Sequence, residues 1–180
     1  MLKKLILGAV LGGLVAFGWG ALSWMLLPWH GKTLKTFKDE VAVAKVVRQN
    51  APEPGMYLLL PSHWNNPTSA QQSMSKGFML FGAVRHEAPD MNRYYLRGLA
   101  IEMLGALFIG WFILLLPPVG YWSRVRISAM LGLAAGVLAR LPDWTWWSFS
   151  TEFTLTTIVD LTMTWFLAGL VIAAFVKRAY

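Results

Sequence analysis

The sequence predicts an all-α membrane protein: a four-transmembrane-helix bundle with a small α+β extracytoplasmic cap between helices one and two. Three observations carry this. Of the 180 residues 56% are hydrophobic and only 14% charged, where a soluble domain carries about a quarter charged residues. Four apolar segments are long enough, or nearly so, to cross a hydrocarbon core, which takes roughly 17–25 residues of helix. Finally, Lys and Arg cluster at the ends of those segments, as they do in cytoplasmic loops.

The first apolar segment runs from Leu5 to Leu27 and follows Lys3 and Lys4. It outlasts a signal-peptide core of about 7–15 residues, so it reads as a retained helix even though Ala21-Leu22-Ser23 is a passable cleavage site. The second runs from Leu96 to Leu116, the third from Val125 to Leu141, and the fourth from Phe153 to Val176. The third is marginal for a full span. The basic pairs Lys3 and Lys4, Arg124 and Arg126, and Lys177 and Arg178 fall on one side if there are four spans. Both termini are then cytoplasmic, as in a protein of a bacterial inner membrane. The domain reading is helix one over 1–27, the cap over 28–95 and helices two to four over 96–180. The cap carries eight Lys and Arg, against the charge rule, but long loops translocate largely regardless of charge.

Within the cap, Thr33 or Thr36 is the expected N-cap of a helix reaching about Asn50, with Leu34, Phe37, Val41 and Ala44 as its apolar face. Met56–Leu60 and Phe78–Val84 read as short strands around a polar, turn-rich stretch from Ser62 to Gly77. The run from Pro142 to Trp147, rich in tryptophan, reads as an outer connection at the interface.

Each long helix carries small or polar residues at four-residue spacing. Helix one has Gly8, Gly12, Ala16 and Gly20; helix two has Gly98, Glu102, Ala106 and Gly110. Helix three has Ser128, Gly132, Gly136 and Arg140; helix four has Thr156, Asp160, Thr164 and Ala168. Small residues let helix backbones approach closely where lipid gives no hydrophobic drive between helices. The ionisable residues on these stripes, Glu102, Arg140 and Asp160, are expected to meet in the outer half of the membrane, because buried charge is costly unless paired. Such a cluster either fixes helix register or binds a cation, proton or polar group.

The absence of cysteine from the sequence excludes disulfides, thiolate metal sites and cysteine nucleophiles. Phosphate-loop, dinucleotide, zinc-protease and serine-hydrolase motifs are missing, so no catalytic residue and no cofactor is assigned. His30, His63 and His86, with Met56, Met74, Met79 and Met91, are weak candidates for copper and read more simply as surface histidines. The run Leu27-Pro28-Trp29-His30 has the look of a motif without an evident mechanism. The net charge of +7 is taken up by membrane flanks rather than nucleic acid. The expected partners are the lipid bilayer and other integral membrane proteins. The expected role is a non-enzymatic accessory, assembly or scaffold subunit; the alternative is a conduit or carrier for an ion or small polar solute.

Overall fold

A computed structural model describes residues 1–59 and 79–177. In chain order the elements are α1 (Leu2–Met25), α2 (Trp29–Thr33), α3 (Glu40–Asn50), β1 (Gly55–Leu59), β2 (Leu80–Val84), α4 (Met91–Leu115), α5 (Tyr121–Trp146) and α6 (Thr151–Phe175). Among the described residues α1, α4, α5 and α6 are long and apolar enough to cross a membrane. The chain forms two compact units: Met1–Lys35 with Asp90–Tyr180, and Thr36–Pro89. The first unit therefore keeps α2, which the sequence reading gave to the cap from residue 28 onward.

Local chemistry sets the helix ends. Asp90 caps α4 by accepting from the Arg93 N–H at 3.2 Å, so α4 starts five residues before the apolar run does. Ser150 caps α6 in the same way, accepting from the Phe153 N–H at 3.2 Å, which satisfies an otherwise orphaned donor. The third span is not short. Helix α5 runs on through Pro142 to Trp146, so the tryptophan-rich run expected as a connection is the last part of a helix. It stops where Ser148 adopts φ 57°, a left-handed turn that lets the Phe149 N–H reach the Asp143 carbonyl at 3.4 Å.

In the helical unit the packing order is α4–α1–α6–α5, with α4 touching α5 and α6 only lightly. The core comprises Leu5, Ala9 and Ala16 of α1, Ala106, Ile109 and Ile113 of α4, Ala168 and Ile172 of α6, and Val176 just beyond it. The small residues explain how closely the backbones approach. A Cβ on Gly12 would lie 2.6 Å from Ile172, and one on Gly132 would lie 2.7 Å from the Leu161 carbonyl oxygen. Gly8 sits against Val176, Gly110 against Leu5 and Gly136 against Ile158. Gly20 lies clear of any neighbour. Steps of four overrun the 3.6-residue turn by about 40° each, so three steps from Gly8 carry the ladder about 120° off the packed face. The packed stripe continues through Trp19 and Ser23 instead.

Arg124, placed by the sequence reading among flanking charges, clasps α6. Its Nη2 donates to the Ala173 carbonyl at 3.1 Å and its Nη1 to the Val119 carbonyl. Tyr121 donates to the Leu170 carbonyl at 2.8 Å. The Ala173 and Leu170 carbonyls lie in the last turns of α6, where the helix dipole favours positive charge.

In the second unit β1 and β2 pair antiparallel, from Gly55 opposite Val84 to Leu59 opposite Leu80. Helix α3 is capped by Asp39, which accepts from the Ala42 N–H at 2.8 Å, and not by Thr33 or Thr36. Thr33 belongs to α2, where its hydroxyl donates to the His30 carbonyl. The expected apolar face of Leu34, Phe37, Val41 and Ala44 is exposed, and α3 buries no residue. The stretch from Ser62 to Gly77, with His63, Met74 and Lys76, lies outside the described residues, as do Leu60 and Phe78 at the ends of the expected strands.

Candidate functional site

The polar centre of the helical unit forms around Asp160, on α6. Nine residues from the start of that helix, it lies about 14 Å along the axis at 1.5 Å per residue. It is 7% exposed. A buried carboxylate without partners is expensive, and here it has three donors. Trp19 Nε1–H and Ser23 Oγ–H both donate to Oδ1 at 2.7 Å. His30 Nε2 lies 3.1 Å from Oδ2. Thr164, one turn on, donates to the Asp160 backbone carbonyl at 2.8 Å.

Two elements deliver those donors. Trp19 and Ser23 are four apart on α1 and so share a face. Pro28, which lacks an N–H, then breaks the helix, and α2 folds back. Trp29 Nε1–H returns to Ser23, 3.0 Å from the hydroxyl and 3.2 Å from the carbonyl. The next residue is His30, 1% exposed. Its ring stacks on Trp24 at 3.8 Å and 7°, and meets the edge of Trp29 at 5.4 Å. His30 Nε2 is also 3.1 Å from Ser23 Oγ. The run Leu27-Pro28-Trp29-His30 thus has a mechanism: it turns the chain and puts an indole and an imidazole back into the core.

Serine, histidine and aspartate in contact invite comparison with a hydrolytic triad, and the geometry rejects it. A triad uses both imidazole nitrogens, one toward the serine and the other toward the carboxylate. Here Nε2 faces both partners, and Nδ1 is buried without one. Ser23 is fully buried, and its proton is already given to Asp160. The cluster binds elements together; it does not activate a nucleophile.

The expected Glu102–Arg140–Asp160 cluster does not form as such. Arg140 turns along its own helix and pairs with Asp143 at 2.9 Å. That carboxylate is three residues away, within reach at no cost in helix approach, whereas Asp160 is already engaged by Trp19, Ser23 and His30. Glu102, on α4, is half-buried and within electrostatic reach of Asp160. Of the histidines read as surface residues, His86 is exposed and His30 is buried; His63 lies outside the described residues. No group of three or more metal-ligating side chains gathers among the described residues.

Sequence reasoning missed Trp19, Ser23 and His30 as partners of Asp160, and Trp29 as the partner of Ser23. It looked for opposite charge. The available signal was a lone hydroxyl, Ser23, on the packed face of an apolar helix, followed by a proline and then by two side chains with N–H donors. A comparison of the chain with protein-family models, curated proteins and solved structures returns no match.

Proposed function

We propose that the chain is a small integral membrane protein that crosses the bilayer four times. In this reading it acts as a non-enzymatic accessory, assembly or scaffold subunit, packing against other integral membrane proteins. Both termini face the cytoplasm, and the Thr36–Pro89 unit lies on the opposite side, in a bacterial inner membrane. One observation carries the role: the most deeply buried carboxylate among the described residues, which a conduit would need free, is engaged by its neighbours. Asp160 is taken by Trp19, Ser23 and His30. Neither the apolar crevice between α4 and α5, about 360 Å³ and lined by Phe108, Trp111, Leu131 and Trp165, nor the hollow on α3 touches that cluster. A closed, hydrogen-bonded centre with lipid-compatible outer faces suits a rigid scaffold.

A second reading, a conduit or carrier for an ion or small polar solute, draws on Glu102, a half-buried carboxylate close to Asp160. Two measurements separate them. Purification in a gentle detergent yields a co-purifying membrane protein if the scaffold reading holds; the isolated chain alone counts against it. Proton or cation flux into liposomes that is present for the native chain and abolished by Glu102→Gln establishes the conduit instead.

A further inference from the structure

The second unit presents a face that the helical bundle does not explain. On α3, Val41, Ala44, Lys45 and Arg48 follow the i, i+3, i+4, i+7 spacing of one helix face. All are exposed, Val41 to 82%. Lys38 precedes the helix, and neither it, Lys45 nor Arg48 makes a hydrogen bond or ion pair with any described residue. Val41, Ala44, Lys45, Arg48 and Gln49 line a hollow of about 500 Å³. Of the acidic residues beside the helix, Asp39 is engaged as the N-cap, and Glu40 borders the face one turn before Ala44, about 80° around the helix from Arg48 and about 140° from Lys45 at 3.6 residues per turn. Apolar side chains with Lys and Arg on one face, and no carboxylate among them, match the boundary between acyl chains and anionic head groups. There the apolar groups enter, and the long basic side chains reach back to phosphate. Connectivity allows it. Six residues separate α2, which ends at Thr33, from α3, a reach of at most about 25 Å.

We propose that the Val41–Arg48 face of α3 docks on the anionic lipid surface of the bilayer that holds the long helices. This rests on the membrane reading above. Each cation near an anionic leaflet strengthens association roughly fivefold, so three contribute on the order of a hundredfold.

The test uses the full chain in lipid nanodiscs. The sequence has no cysteine, so Val41→Cys takes a nitroxide label alone. Phe108→Cys, on the exposed flank of α4, serves as the control. In discs of phosphatidylcholine with phosphatidylglycerol, the label at 41 becomes accessible to oxygen and protected from a water-soluble nickel chelate. In phosphatidylcholine alone, in high salt, or with Lys38→Gln, Lys45→Gln and Arg48→Gln together, it returns to the aqueous phase. A label at 41 that stays nickel-accessible with phosphatidylglycerol overturns the proposal. So does one that enters the lipid without it, and so does dipolar broadening that puts a second copy on this face. A nickel-accessible label at 108 overturns the membrane reading itself, so the two failures are distinguishable.

Discussion

Replacing Asp160 with alanine removes the acceptor that α1 and α2 share, and the structure sets the size of the effect. Three donors converge on the carboxylate, at 2.7, 2.7 and 3.1 Å. Hydrogen bonds to a charged group contribute about 1.5–3 kcal/mol each, but the buried carboxylate costs several kcal/mol to desolvate. The sum of the bonds therefore overstates the net. Leaving a buried donor without its acceptor costs about 1–3 kcal/mol, and Asp160→Ala strands the Trp19 and His30 donors, so we expect a cost of about 2–4 kcal/mol. Ser23→Ala is milder. The Trp29 indole keeps the Ser23 backbone carbonyl, so the chief loss is the Ser23–Asp160 bond. Measured interhelical hydrogen bonds in membrane proteins reach at most about 1.7 kcal/mol, and about 1–1.5 kcal/mol is expected. The assay is reversible unfolding in mixed micelles, followed by circular dichroism for both single variants and the double. The cycle should show a coupling above about 1 kcal/mol. Additivity within about 0.5 kcal/mol, the range expected of independent sites, would refute the geometry. So would an Asp160→Ala cost no larger than that of Leu138→Ala, a side chain 75% exposed.

Other changes test the packing and the helix ends. Gly132→Ala drives a methyl toward the Leu161 carbonyl and Trp165 and should cost about 1–3 kcal/mol as overpacking. Gly18→Ala, with nothing within 4 Å, should be neutral or stabilise by up to about 1 kcal/mol through helix propensity; the same micelle titration reads both. Arg140→Gln should shift stability by less than about 1 kcal/mol, as for a partly exposed ion pair; a loss of several kcal/mol would return Arg140 to the buried centre. Ser148→Gly relieves a left-handed backbone position and should raise the thermal midpoint, with a gain of about 1 kcal/mol.

The long helices were legible because apolar length is a local property. So were the closely packed faces at Gly12, Ala106, Gly132 and Asp160, since small residues recur there near the helical period. Helix ends were legible only in part. Asp90 and Asp39 cap α4 and α3, but the apolar runs themselves begin elsewhere, and Pro142 lies inside α5 rather than ending it. The sequence reading also placed Gly20 on the packed face, because a strict four-residue ladder ignores the helical drift.

By itself, the sequence determined that the chain forms long apolar helices joined by a mixed, basic connection, and that Asp160 falls on a face of small residues. Composition and periodicity are carried by neighbouring residues and need no partner to be read. The tertiary structure decided who answers Asp160. The donors come from a different helix and from a turn more than a hundred residues earlier in the chain, and none of them is a fixed charge. Only the backbone's return at Pro28 brings His30 out of an apparently exposed segment and into the core, and a spacing rule within one helix cannot express that reversal.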